Sequence, residues 1–475
     1  MAIYLFWRLN VTEDSSQQAR LWRAQLHRLI LLALPLSFSQ LSEIAMGVTD
    51  SILLGGLGAT ALAVGGLTST LFFCTLITFQ SALGAASILI ATRRGEAHAR
   101  QKHLTSLADL VTTGVALGAF LCVPVFLILF PIGAIFSWLG EPEIIVTQGR
   151  NFMHILLWGL PPILVVIGLL RVILPALGSE FLLLWTMPLM ALANGFLNAT
   201  LIYGWFGLQP RGMWGSAVAT TITGWGTAIA LIIVSLSCHH LRDHLRLTRV
   251  DWPQLWKMLK LGLPMVGASG AELMAFEISG LNAGVLGTDS AAAHQVALNI
   301  ATLSFMVNLA LSQAVNIRVS FWLGARDVVA AGRSAVTCIG LSMLWSLFAA
   351  TVIFVFSDDI ARFIIDPKTD NAPHVIAMAS SLLKISGLFQ IVDGLQAACN
   401  GILRGCQDTL LPMIFMFITY IPISVFGGRW VAFQGHYGVE GLWWGLAAGL
   451  AVLSLMLVIR MGYVLRARRV ALGVA

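Results

Sequence analysis

The chain has 475 residues, of which 58% are hydrophobic and 11% charged, and carries a formal net charge of +6. Soluble domains hold about 25% charged residues, so the composition excludes a soluble globular protein and marks a polytopic membrane protein. The positive excess lies in short loops beside apolar runs, where it orients a membrane protein, and it calls for no nucleic-acid partner.

In chain order, residues 1–25 form an N-terminal tail in which Trp7, Arg8, Glu13 and Asp14 precede the first long apolar run. That mixture is unlike a cleavable signal peptide. At roughly 20 apolar residues per crossing, twelve helices are expected. Six fall near 28–54, 61–90, 105–134, 145–175, 181–204 and 213–238, in an N-lobe of residues 26–238. A basic, amphipathic linker of residues 239–258 follows. Six more fall near 260–286, 291–322, 330–357, 374–404, 409–428 and 439–463, in a C-lobe of residues 259–465, before a C-terminal tail of residues 466–475.

The lobes repeat one plan. Leu34-Pro35 recurs as Leu263-Pro264, Glu43 as Glu272, Gly55 as Gly284, Leu57-Gly58 as Leu286-Gly287 and Gly95 as Gly324, at a constant offset of 229 residues. Six crossings return the chain to its starting side. The expected fold is therefore an all-α integral membrane protein of two six-helix bundles, related by a pseudo-two-fold axis along the membrane normal. Most Lys and Arg residues, from Arg20 and Arg93 to Arg246, Arg404 and Arg468, fall on one side. The other side holds Asp358, Asp359, Asp366 and Asp370 with few bases, among them Lys368. The positive-inside rule then puts both termini in the cytoplasm, in an inner membrane. Cys74, Cys122, Cys238, Cys338, Cys399 and Cys406 form no CxxC pair and read as small packing residues.

Five carboxylates interrupt the apolar spans: Glu43, Asp50, Glu272, Glu277 and Asp393. A charge at mid-bilayer costs about 2.5–3.5 kcal/mol on insertion scales, so such acids face a cavity, pair, or stay protonated. At the helical rise, Glu272 lies about 18 Å from the start of its span and Asp393 about 17 Å from the end of its own. Asp50 lies about 6 Å from an end, with Glu43 deeper on the same face. Lys384 falls on the helix face opposite Asp393, and Arg171 and Arg318 are expected to snorkel to the cytoplasmic boundary, leaving an acidic cavity. Such a cavity suits cations or protons. Gln40, Glu277, Asn282, Gln295, Asn299, Phe305, Phe389 and Gln390 are the candidates to contact an amphipathic organic cation, through polar groups and ring faces.

The stretch Met46-Gly-Val-Thr-Asp50-Ser-Ile-Leu-Leu-Gly-Gly56, the Leu-Gly-Leu-Pro264 to Glu272 run, Ala292-Ala-His-Gln-Val-Ala-Leu-Asn299, and Asp393-Gly-Leu-Gln396 followed by Leu403-Arg-Gly405 resemble the multidrug and toxic compound extrusion (MATE) transporters, in particular the NorM-like branch. The resemblance covers essentially the whole chain. It implies a cation-coupled efflux antiporter that exports organic cations and drugs by alternating access through a V-shaped cavity. Such a protein works as a monomer in the bilayer, with H⁺ or Na⁺ as coupling ion and no other cofactor. Carried over by residue, Asp50, Glu272 and Asp393 match the family's acids, with Glu272 and Asp393 as Na⁺ ligands in the sodium-driven case. Glu43 is an additional acid in this chain. Phe389 stands where related sequences carry a tyrosine, which removes one hydroxyl and favours the proton. Asn198 stands where another branch carries an aspartate. A lipid-linked oligosaccharide flippase of the same superfamily would need cavity arginines for its diphosphate. An intramembrane enzyme would need paired aspartate-rich or HExxH motifs, and the sequence has neither.

Overall fold

A computed structural model describes residues 15–101, 106–365 and 371–471. Expectations about Trp7–Asp14, Lys102, Asp366, Lys368, Asp370 and the end of the C-terminal tail lie outside the described residues. Among those described, every regular element is helical. A bilayer leaves no other choice to a chain this apolar, because every backbone N–H and C=O must find its partner within the segment. Hydroxyls inside the spans follow the same rule: Ser37, Thr49, Thr75 and Thr186 each donate to the carbonyl four residues back.

The spans are α1 (Ser15–Gly55), α2 (Ala59–Ala99), α3 (Ala108–Trp138), α4 (Glu143–Leu157 with Pro162–Leu177), α5 (Phe181–Tyr203), α6 (Met213–Ser237), α7 (Trp252–Leu286), α8 (Thr288–Gly324), α9 (Val328–Val355), α10 (Ala372–Gly405), α11 (Leu410–Phe433) and α12 (Gly438–Ala471). Among the described residues, ten are long and apolar enough to cross a membrane unaided and the bent pair in α4 makes an eleventh. The twelfth, α7, has 35 residues, but Lys257, Lys260, Glu272 and Glu277 dilute its apolar character.

Three spans depart from the expected outline. The first helix begins at Ser15, well before residue 28. Its early turns are tied down by Gln25, whose Oε1 accepts from Arg318 at 2.8 Å and from Ser334 at 3.0 Å. The fourth span is bent by 51° rather than continuous. Pro161 and Pro162 withdraw two successive N–H donors there, and the chain resumes as a π-helical segment, Pro162–Ile167. The same device interrupts α11, where Tyr420–Gly427 is π-helical around Pro422. By contrast, α1 and α7 run unbroken through the repeat mates Pro35 and Pro264.

The chain forms two compact units, each discontinuous in sequence. One comprises Met1–Ser37, Thr92–Lys102 and Gly267–Ala475; the other comprises Phe38–Ala91 and His103–Val266. In the first unit, α12 meets α11 along a stripe of small residues. A Cβ on Gly441 would strike the backbone of Ala432, one on Gly445 the backbone of Gly428, and one on Gly449 the Ser424 hydroxyl. Glycine every fourth residue lets the helix backbones touch, the usual solution where lipid offers no hydrophobic drive for association. The repeat mates Gly95 and Gly324 also meet in this unit: a Cβ on Gly95 would strike the Phe321 carbonyl, and one on Gly324 the Thr92 carbonyl. In the second unit, the start of α3 holds the inter-span segment, with Ser106 donating to the Asp243 carbonyl at 2.7 Å and Thr112 accepting from the Thr248 amide at 2.9 Å.

Candidate functional site

In the first unit, three helices bring acids and a phenol together. Glu272 comes from α7, Asp393 from α10 and Tyr420 from the first residue of the π-helical part of α11. Widening of the helix at that point turns the phenol inward, and its Oη donates to Glu272 Oε1 at 3.2 Å. Asp393 is 4% exposed and lies within electrostatic range of Glu272. Arg404, three turns along α10 on the same face as Asp393, also acts on Glu272 through space. Close packing sets the depth of Asp393: the adjacent Gly394 leaves no room for a Cβ beside Ser346, and its carbonyl accepts from Ser342 at 2.8 Å.

The missing hydroxyl at Phe389 is thus not a missing hydroxyl at the site, because Tyr420 supplies one from another helix. Phe389 itself is buried in a ring column, with centroids 6.1 Å from Phe276 and 5.9 Å from Trp443. Trp443 Nε1 in turn donates to His294 Nδ1 at 3.1 Å. Gln390 is fully buried and donates to the Ala301 carbonyl at 3.0 Å, while its Oε1 has no hydrogen-bond partner among the described residues. Asn282 accepts from Arg429 Nη1 at 2.5 Å. Gln295 and Asn299, exposed on α8, bond to each other at 3.0 Å. Phe305 is half-buried on the same helix, and Glu277 is exposed on α7. Among these candidates, then, the structure gathers Glu272 and Asp393 with the unforeseen Tyr420, and disperses the rest along α7, α8 and α10.

The second unit holds the other acids. Asp50 is 7% exposed; its Oδ1 accepts from Asn198 Nδ2 at 2.7 Å, and the Thr220 hydroxyl also bonds to it. Asn198 reaches Asn194 at 3.1 Å, and Asn194 reaches Thr223 at 3.4 Å. The result is a polar chain that joins α1, α5 and α6. Glu43 behaves differently. Arg171 Nη1 meets Glu43 Oε2 at 2.6 Å, and Arg171 Nη2 donates to Gln40. The expectation that Arg171 snorkels away is therefore wrong: α4 brings it to α1, and the side chains are only 12% and 29% exposed. A buried guanidinium with a carboxylate at hand forms the pair, because either charge alone would be left poorly solvated. Arg318 also stays inside, bonded to Gln25 and lying 5.2 Å over the Trp322 ring. Lys384, as expected, turns from Asp393 and acts on Asp358.

One signal in the sequence pointed to both inner arginines. Gly168-Leu-Leu-Arg171 recurs as Gly401-Ile-Leu-Arg404, shifted by one helical turn from the main repeat offset. Each half thus sends one arginine toward its own first-helix acid. Chemically, the two units differ: Glu272, Asp393 and Tyr420 offer carboxylate and phenol oxygens to a cation or a shared proton, whereas the carboxylate of Glu43 already has a resident cation.

Comparison with known proteins agrees with this architecture. A family profile described as MatE matches residues 35–200 and again 264–429, reproducing the internal repeat. A probable multidrug resistance protein NorM of Burkholderia mallei is 39% identical over 427 residues, covering 90% of both chains. The multidrug resistance protein NorM of Burkholderia vietnamiensis is 37% identical, covering 90% of this chain and 91% of its own. The crystal structure of the eukaryotic MATE transporter AtDTX14 superposes with a TM-score of 0.78 at 20% identity, over 95% of this chain and all of the other. With a repeated profile over most of its length and relatives this similar end to end, the chain belongs to the MATE family of membrane transporters, alongside its NorM-like members.

Proposed function

We propose that this protein is a multidrug efflux antiporter of an inner membrane, with both termini cytoplasmic. It exports organic cations and amphipathic drugs as a monomer by alternating access, in exchange for inward H⁺ or Na⁺. The observation that carries the reading is the Glu272–Asp393–Tyr420 cluster, in which two acids and a phenol are enclosed by an apolar bundle. Acids that act on each other through space in low dielectric are tolerated when a mobile positive species visits them. A drug cation and the coupling ion would then use the same carboxylates in turn. The multidrug resistance names of the NorM relatives support the substrate class. Asp50, with Asn198 and Thr220, would hold a second coupling position.

The test is efflux of a fluorescent organic cation from proteoliposomes under separately imposed H⁺ and Na⁺ gradients. One gradient should drive it, and Asp393→Asn or Glu272→Gln should lower the driven rate at least about tenfold, the cost of losing one charge-assisted contact. Efflux indifferent to both gradients, or untouched by both substitutions, would overturn the proposal.

A further inference from the structure

We propose that the groove between the α10–α11 turn and the final turns of α12 binds the phosphate headgroup of an anionic phospholipid. It encloses about 440 Å³ and is lined by Gln407, Asp408, Arg460, Tyr463, Ala467 and Arg468. Positions 460, 464, 467, 468 and 471 follow helical spacing and present one face of α12 to the turn. Arg460 and Arg468 stand two turns apart on that face, with Val464 and Ala467 between them and Ala471 a turn beyond, and the two alanines form the floor.

Both guanidiniums are braced from one side. Arg460 Nε meets Asp408 Oδ2 at 2.7 Å, and Arg468 Nη2 donates to the Cys406 carbonyl at 3.0 Å. Each guanidinium carries five N–H donors in a rigid fork, so one held contact leaves further donors on a side chain that lines the groove. Through such donors arginine grips a phosphate by two parallel bonds. Two cations face one carboxylate, so the groove stays net positive, and Arg466 adds charge on the adjacent turn.

The approach to the groove selects a lipid over a free anion. Leu455, Ile459 and Tyr463, on successive turns of α12, are 61%, 65% and 65% exposed and form an apolar track that ends at the groove. An acyl chain lying along it would deliver its headgroup to Arg460, which already lies 5.4 Å over the Tyr463 ring. Tyrosine at that level is typical of the interfacial belt. Basic pockets beside helix ends on the Lys/Arg-rich side are where anionic headgroups bind. The site is separate from the acid cluster and does not depend on the efflux reading.

Native mass spectrometry of the full chain, purified in detergent and titrated with phosphatidylglycerol, phosphatidylcholine or inorganic phosphate, tests the assignment. Phosphatidylglycerol should be retained about fivefold over phosphatidylcholine per arginine engaged, and Arg468→Gln should remove most of that preference. The double variant Ala467→Leu/Ala471→Leu, at exposed positions, fills the floor while leaving every charge in place, and it should abolish the preference too. Arg246→Gln, in the inter-span segment, should change nothing. Retention that survives the alanine variant, or that falls equally with Arg246→Gln, would overturn the site. Displacement of the lipid by millimolar inorganic phosphate would assign the groove to a soluble anion and overturn the lipid reading.

Discussion

The ion pair between Glu43 and Arg171 shows how a single side chain changes the meaning of another. Glu43 is the repeat mate of Glu272, and by sequence the two acids are equivalent. In the structure one is neutralised by a guanidinium at 2.6 Å and the other is met by a phenol at 3.2 Å. Removing Arg171 alone leaves a carboxylate in the bilayer without its partner, which should destabilise the protein by about 1.5–3 kcal/mol. Removing both charges takes away the cost along with the pair. Thermal unfolding in detergent should therefore rank Arg171→Gln well below wild type, with Glu43→Gln/Arg171→Gln recovering most of the loss. A double variant no better than the single one would show that the pair is not the source of the effect. The acids themselves were legible, because a carboxylate inside an apolar run stands out against its neighbours. Which side chains they meet was not: the repeated Gly-x-Leu-Arg marks Arg171 but names no acid, and Arg171 and Tyr420 lie 128 and 148 residues away from the acids they meet, a distance that only the packed bundle closes.

At the scale of an element, the π-helical stretch of α11 aims the phenol. Pro422 cannot donate to the helical ladder, and the widened turn around it sets the rotation of Tyr420 relative to α7. Pro422→Ala restores the donor and favours a regular α-helix, which should swing the phenol off Glu272. Efflux should fall several-fold, to the level of Tyr420→Phe, while the monodisperse elution profile is retained. A Pro422→Ala protein with wild-type transport would separate the wide turn from the site. Helix number and order were readable from apolar run length, since bilayer thickness fixes how long a run must be. The bend in α4 and the wide turn in α11 were not. Proline announces a lost hydrogen bond, but whether the chain breaks, as at Pro162, or continues, as at Pro35 and Pro264, depends on what neighbouring helices supply.

Across the whole molecule, sequence repeat and compact unit do not coincide residue for residue. The unit that contains Gly267–Ala475 also takes in Met1–Ser37 and Thr92–Lys102. Gln25 provides the acceptor for both Arg318 and Ser334, and Gly95 seats the Phe321 backbone. A fragment of residues 259–475 therefore lacks part of its own interior. Expressed alone, it should fail to give a monodisperse peak in fluorescence-detected size-exclusion chromatography, and co-expression with residues 1–258 should restore one. A stable, monodisperse C-terminal fragment would contradict this dependence.

The crossing of α2 and α8 at Gly95 and Gly324 has a mechanical corollary. Main chain rests on main chain at the two glycines, and beside them the His98 ring of α2 packs against Phe321 and Trp322 of α8. Interlocked side chains hold two helices in discrete notches, so that changing their angle means lifting one set of rotamers out of another. The His98 ring is one such notch, and the glycines beside it fix how closely the two helices approach. An alanine at either glycine would wedge the two main chains apart and lift that ring from its seat.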